Sequence, residues 1–310
     1  MKFISKTNFD FMGKRRLACW LSVVSSVVIV ILFMIQGLNY GIDFTGGTIV
    51  EVGYGQEADL TKVRSILTQS EFNNAIVQYY GAATDVLVRI PPQEGLNSVD
   101  ISNKLIELLD TGDQSIEIRR VEFVGPQVGG ELREDGGLAM IYALLGILLY
   151  VAIRFQTRFA IGAVVATVHD VIITVGFFVI TRMEFDLTVL AAVLAVIGYS
   201  LNDTVVVFDR IRENFHKLRK ATPVEVMNVS LNETLSRTIM TGLTTLLVLI
   251  ALFFFGGETL LGFSAALIVG ILIGTYSSVY IASPVTLALG VSKQDLMPVV
   301  KEGAEPDKRT

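Results

Sequence analysis

Six stretches of the chain stay apolar long enough to cross a bilayer, and polar segments separate them. They lie near residues 17–36, 137–153, 159–181, 187–207, 237–255 and 260–289. A helix rises about 1.5 Å per residue, so about 20 apolar residues cover a hydrocarbon core about 30 Å thick. The first run, Leu17 to Ile35, follows the basic opening MKFISKTNFDFMGKRR. A cleaved leader has a shorter apolar core and a small-residue cleavage site, so this run reads as an uncleaved spanning helix. Spans two to six follow one another closely. Residues 37–136 form the one long connection.

Inside that connection the period changes. GTIVEVGY (47–54) is rich in β-branched residues and predicts a strand. ADLTKVRSILTQ (58–69) places Leu60, Val63, Ile66 and Leu67 on one helical face. AIVQYYG (75–81) and DVLVRI (85–90) read as strands, the second ended by Pro91 and Pro92. SVDISNKLIELL (98–109) returns to helical spacing, and SIEIRRVEFVG (115–125) alternates like a strand with one buried face. The order β-α-β-β-α-β predicts a ferredoxin-like sandwich. The expected fold is a polytopic α-helical membrane protein with six transmembrane helices and a ferredoxin-like α+β domain between helices one and two. Its layout is 1–36 for the N-terminus and first helix, 37–136 for the domain, 137–290 for helices two to six, and 291–310 for a polar, disordered tail. The insert carries no phosphate-binding glycine loop and no paired catalytic carboxylates, so a packing or binding module is expected rather than an enzyme.

Glycine-rich segments flank the insert. GIDFTGG (41–47) contains Gly41, Asp43, Gly46 and Gly47, and GPQVGGELREDGG (125–137) contains Gly125, Gly129 and Gly130. Glycine admits tight and left-handed turns, so each segment is either a hinge or a simple connector. Asp43 either caps a turn or meets a partner.

Composition agrees with a membrane protein. Hydrophobic residues make up 52% and charged residues 18% of 310, against about 25% charged in a soluble domain, and the mean hydropathy is +0.58. The net charge of −5 says little, because charges segregate by loop. The single Cys19 excludes an intramolecular disulfide and a cysteine metal site, and two histidines leave no His-rich site. No cofactor and no nucleic-acid partner is expected. Lys14, Arg15, Arg16, Arg154, Arg158, Arg210, Arg212, Lys217, Arg219 and Lys220 all fall on one side of the spans. By the positive-inside rule both termini are expected in the cytoplasm and the insert in the periplasm.

Candidate chemistry lies in polar residues within the spans. An ionisable group at membrane depth costs at least a few kcal/mol, so it usually faces protein or water and finds a partner. His169 and Asp170 sit about halfway along span three. Asp203 lies about 24 Å below Leu187 along span four. Arg237, where span five begins, falls at a comparable level, so antiparallel neighbours would let the two meet. Asp203 is then either a hydrated end-of-helix residue or a proton site, and Arg237 either a snorkelling anchor or its partner. His169 and Asp170 serve either proton transfer or a structural hydrogen bond. Thr234, Thr238, Thr241 and Thr245 make a polar stripe beside Arg237, and span six carries Thr275, Tyr276, Ser277, Ser278 and Tyr280. Gly162, Ala163, Gly176, Gly198, Gly242, Gly270 and Gly274 suit close helix packing.

Taken in order, GIDFTGG after span one, FVGPQVGGEL before span two, the HD of span three, GYSLNDTVVVFDRIREN ending span four and LSRTIMTGLTTL opening span five resemble the SecF family of bacterial protein-export membrane proteins. The resemblance covers nearly the whole chain and extends to the resistance-nodulation-division superfamily of proton-driven transporters. It implies an accessory subunit in the inner membrane, embedded in the lipid bilayer, that uses the proton-motive force to promote export. Its implied partners are SecD, the SecYEG translocon, a small accessory membrane subunit and the translocating unfolded polypeptide. It also implies that Asp203 and Arg237 belong to a proton pathway with an aspartate from SecD. His169 and Asp170 match the family motif without a settled role. The chain has no Walker loop, which fits a subunit that is not itself an ATPase. Two other classes stay open: half of a proton-driven exporter of small molecules or lipids, and a translocase scaffold that conducts no protons.

Overall fold

The computed structural model describes residues 7–93, 96–110 and 116–291; the first six residues of the basic opening and the polar tail from 292 lie outside the described residues. Among the described residues six helices are long and apolar enough to cross a membrane: Met12–Gln36, Pro126–Arg154, Thr157–Thr181, Leu187–Lys217, Pro223–Phe255 and Thr259–Ala288. The first contains α1 (Arg15–Gln36). A short strand β1 (Asn39–Tyr40) and a single helical turn α2 (Ile42–Thr45) then lead into the insert.

The insert is built as β2 (Gly47–Tyr54), α3 (Leu60–Thr68), β3 (Ile76–Tyr80), β4 (Ala82–Ile90), α4 (Ser98–Leu109) and β5 (Ile116–Val124). Its four strands are antiparallel in the order β3-β4-β2-β5. Alternation decides which face is buried. Val50, Val52, Val86, Val88 and Ile90 turn toward Val63, Leu67, Ile101 and Leu105 on α3 and α4, forming one apolar core. The intervening residues Ile49, Glu51, Leu87 and Arg89 face the other way, into a cleft of about 500 Å³ that is also lined by Glu184, Asp186 and Thr259. Asp59 and Asn97 cap the two helices through side-chain oxygens.

The second spanning helix, α5 (Pro126–Arg154), starts well before residue 137, where its apolar run begins. Pro126 occupies its first turn, where a missing N–H costs nothing. Residues 126–136, assigned by pattern to the insert, are therefore the opening turns of a spanning helix. The chain continues through α6 (Thr157–Thr181), β6 (Glu184–Phe185), α7 (Leu187–Lys217), α8 (Pro223–Phe255) and α9 (Gly257–Ser277). A π-helical stretch, Ser278–Ala282, and α10 (Ser283–Ala288) complete the last span. Helix α7 has 31 residues, about 46 Å of helix, and so outreaches the bilayer core. Helix α8 opens on a full capping box between Thr222 and Glu225, followed by Pro223.

Helices α6, α7 and α9 pack against one another as the centre of the bundle. Glycine lets two of these contacts close: a Cβ on Gly270 would fall 2.1 Å from Val196, and one on Gly274 would fall 2.9 Å from Ser200. Gly198, by contrast, borders open space. Helices α1, α5 and α8 keep most of their apolar surface exposed, which suits lipid or a partner. At the sheet end, Phe44, Phe178, Phe185 and Val189 form an apolar plug. At the far end, Phe155, Phe159, Phe208 and Met227 form another.

Candidate functional site

Asp203 lies in the middle third of α7 and is only 3% exposed. Its Oδ2 receives no hydrogen bond from any described residue. Arg237, on α8, is close enough for its charge to act on that carboxylate. Among the described residues the two form no ion pair within 4 Å, and Arg237 itself is exposed on the surface of the single chain. They are neighbours without being a closed pair. The buried acid has a vacant acceptor, and the cation points toward whatever borders this face of α8.

The threonine stripe does not extend this arrangement. Thr234 donates to Ser230 O, Thr241 to Arg237 O and Thr245 to Thr241 O, each one turn back on its own helix. Such back-bonding satisfies the hydroxyl locally and leaves little for a path.

His169 and Asp170 are also buried, and here the structure supplies partners from elsewhere in the chain. Asp170 Oδ2 accepts from Ser200 Oγ on α7 at 2.5 Å and from Ser277 Oγ on α9 at 2.8 Å. His169 Nδ1 lies 3.2 Å from Asp170 Oδ1. One carboxylate thus ties the three central helices together. Nearby, Thr204 and Ser278 share a hydrogen bond at 2.8 Å, and Tyr276 donates to Ala18 O on α1 at 3.0 Å. Ser200 stands one turn before Asp203 on the same helix, so the two acids border neighbouring turns of α7.

The flanking glycines have different roles. Gly46 has φ +71° and ψ 172°, a conformation open in practice only to glycine. A Cβ on Gly46 would lie 2.7 Å from Pro126 Cα, and one on Gly129 would lie 2.8 Å from Gly46 N. Gly47 has φ +130° and sits against Ile90 O. Gly41 accepts Phe44 N–H and Thr45 N–H at the start of α2. Gly125 is the N-cap of α5 and Gly130 lies inside that helix, both beside open space. Gly46, Gly47 and Gly129 therefore form a close backbone crossing, and the second segment is helix rather than loop. Asp43 does meet a partner: its Oδ2 accepts the Leu187 N–H, the first amide of α7, at 3.0 Å.

The pattern of residues had placed Ser277 among the polar residues of span six but had not singled out Ser200, Arg89 or Glu184. Arg89 Nη1 pairs with Glu184 at 3.3 Å, and its Nη2 donates to Tyr40 O and to Thr45 Oγ1. Burial pushes the Glu184 carboxyl above its ordinary range, Arg89 draws it back, and Asp186 and Asp43 push it further up. Asp186 had a readable signal, an acid directly before an apolar run, and it caps α7 by accepting Val189 N–H at 2.8 Å.

Residues 104–292 match the model of the family "Protein export membrane protein SecD/SecF, C-terminal", and residues 31–58 match the SecD/SecF GG motif. The chain belongs to the SecD/SecF family. It is 49% identical to the protein translocase subunit SecF of Vibrio alginolyticus, over 98% of each chain. With the subunit of the same name from Pseudomonas aeruginosa it shares 51% identity, over 93% of this chain and 94% of that one. Among solved structures it resembles SecDF of Thermus thermophilus, described as a translocon-associated membrane protein, with a TM-score of 0.82 and 36% identity. That match covers 91% of this chain but only 39% of the solved one. A SecDF structure in a super-membrane-facing form matches with a TM-score of 0.72. Within the SecD/SecF matches, Gly41, Asp43, Gly46 and Gly47 fall in the GG-motif region. Gly125, Gly129, Gly130, His169, Asp170, Asp203 and Arg237 fall in the C-terminal region.

Proposed function

We propose that this chain is an accessory subunit of the Sec protein translocase that, with SecD, uses the proton-motive force to promote late export of polypeptides across the inner membrane. Family membership, with 49% identity over 98% of a translocase subunit, supports the class. The partner reading is supported by the solved SecDF chain, of which this one accounts for 39%. SecYEG and a small accessory membrane subunit complete the proposed assembly, and an unfolded polypeptide is its cargo. The β-α-β-β-α-β insert is taken as a ferredoxin-like domain in the periplasm, with both termini cytoplasmic. The one-sided distribution of Lys and Arg supports that orientation. The chain acts without enzymatic chemistry or cofactor in this reading, with the gradient as the energy source.

The observation that carries the proton reading is Asp203: buried in the bundle, with an unfilled oxygen, beside a cation it does not close upon. Ionised, the carboxylate is drawn to Arg237 or to an equivalent cation; protonated, it is released. One proton falling through about 150 mV yields about 3.5 kcal/mol. That biases a two-state motion strongly, though a complete reversal needs about 5.5 kcal/mol. Exposure of Arg237 on the single chain suits a site completed by an acid from SecD. The assignment is tested by purifying the chain in mild detergent. Co-purification of a SecD-like protein and the channel supports it; capture of neither, with proton-coupled efflux of a small molecule instead, would favour an exporter.

A further inference from the structure

The sheet-domain end of the Asp203 helix is where the insert is fastened to the bundle. Asp43 holds the first amide of α7 at 3.0 Å. Three residues before Leu187, Glu184 holds Arg89 of β4 at 3.3 Å. The Arg89 side chain is 12% exposed, and its other nitrogen reaches Tyr40 O and Thr45 Oγ1. One guanidinium therefore braces the sheet, the GIDFTGG segment and the α6–α7 turn. A planar fork with several donors suits that task. Strands β1 and β6 pair in parallel beside it.

This connection has little slack. Helix α7 runs unbroken from Leu187 through Asp203, so a shift at Asp203 reaches Leu187, about 24 Å away, as a rigid-body movement. From Leu187 the Asp43 bond leads into α2. Gly46 and Gly47 then turn the chain directly into β2, with Gly46 packed on Pro126 and Gly47 on Ile90 O. The same residues border the cleft: Asp43, Arg89 and Glu184 line it together with Tyr80, whose hydroxyl meets Thr259 Oγ1 across it at 3.0 Å.

We propose that Asp43 and the Arg89–Glu184 pair are positioning residues that transmit displacement of the Asp203 helix to the sheet domain and so set the width of the cleft beneath it. The proposal rests on the proton-driven reading above and names the joint through which that motion leaves the bundle. Asp43 works as an acceptor for a backbone amide, so an acceptor oxygen is what this bond requires. Arg89 works through geometry, so a shorter cation without the fork replaces it poorly.

The test uses the full chain, with Cys19→Ser, assembled with its partner subunits in proteoliposomes. Spin labels at Val121 on β5 and Ile180 on α6, both exposed, report the distance from sheet to bundle with and without an imposed proton gradient. The starting assembly should show a gradient-driven distance shift. Asp43→Asn, which keeps an acceptor oxygen, should preserve it. Asp43→Ala and Arg89→Ala should abolish it, and Arg89→Lys should weaken it at least twofold. Loss of the shift in Asp43→Asn as well would overturn the acceptor role. A full shift in the Asp43→Ala/Arg89→Ala double variant would overturn the joint altogether. If Asp43→Ala fails to assemble, Arg89→Ala and Asp43→Asn decide the matter. If the starting assembly shows no shift while export still depends on the gradient through Asp203, the joint is wrong and the proton reading stands.

Discussion

Gly46→Ala should be among the most damaging single-methyl changes in this chain. The backbone at Gly46, φ +71° and ψ 172°, lies where only glycine rests comfortably, and a side chain there costs about 1–3 kcal/mol. The added Cβ would also stand 2.7 Å from Pro126 Cα and 2.9 Å from Pro126 N. Both are backbone atoms at a helix start, so they cannot swing aside as a side-chain tip would. Forcing such a contact apart adds about 1–3 kcal/mol, and the sum is about 2–6 kcal/mol. Gly130→Ala is the matched control. It lies inside α5 with nothing within 4 Å of the new methyl, and Gly→Ala in a helix interior gains up to about 1 kcal/mol. Thermal unfolding of the two purified variants in one detergent measures the difference. Gly46→Ala should melt well below the parent and Gly130→Ala at or above it. Equal melting of the two would refute the account of the Gly46–Gly129 crossing as close packing and would return both segments to the status of swivels.

Asp170→Ala should destabilise the chain by a few kcal/mol, because it leaves the buried Ser200 hydroxyl without its acceptor, takes one of two acceptors from Ser277 and removes the carboxylate beside His169 Nδ1, an orphaned buried donor costing about 1–3 kcal/mol. Ser277→Ala should cost less, and Asp170→Asn less than Asp170→Ala, since the amide oxygen still accepts; chemical unfolding that ranks Ser277→Ala worst contradicts the hub. Glu184 gives a pH signature. Its carboxyl sits above the ordinary 4.5 through burial, partly offset by Arg89, so the folded state binds more protons than the unfolded one in the window just above that value. Stability should fall as pH rises through the window, and Glu184→Gln should remove that part of the slope. Melting curves taken at stepped pH check this, and an unchanged slope in the variant contradicts it. Arg154→Ala should change stability by less than about 1 kcal/mol, because its pair with Asp209 at 3.2 Å is exposed on both sides; a larger loss of melting temperature would mean the pair is shielded in the assembled protein.

Much of the architecture is legible in the sequence because the two solvents demand different periods. Lipid requires long unbroken apolar runs; five fall inside observed helices, and the sixth, 260–289, overruns Thr259–Ala288 by one residue. The insert alternates because one sheet face is buried, so GTIVEVGY reads directly as the strand Gly47–Tyr54. Helix ends were harder. Helices α5, α7 and α8 extend into polar residues such as Glu131, Arg212 and Glu233, which helices tolerate but a hydrophobicity pattern does not count. Glycine was ambiguous for a physical reason: the missing Cβ that permits a hinge also permits the contact of Gly129 on Gly46. Asp203 and Asp170 stood out as charges in apolar runs, yet the pairing of Asp170 with Ser200 and Ser277 did not. Ser200 and Ser277 look like ordinary small residues, and 107 positions separate Asp170 from Ser277. Matching depth on adjacent helices suggested that Asp203 and Arg237 would pair. Depth fixes height but not the angle around each helix, and Arg237 turns outward.

In the proton reading, Asp203 handles the driving proton. The direct measurement is gradient-dependent export by the reconstituted translocase carrying Asp203→Asn, with assembly and the gradient-independent rate measured alongside. Assembly should be normal, the gradient-independent rate unchanged, and the stimulation that the gradient gives lost. Full stimulation in the Asp203→Asn assembly would contradict that reading and leave the buried carboxylate a structural group.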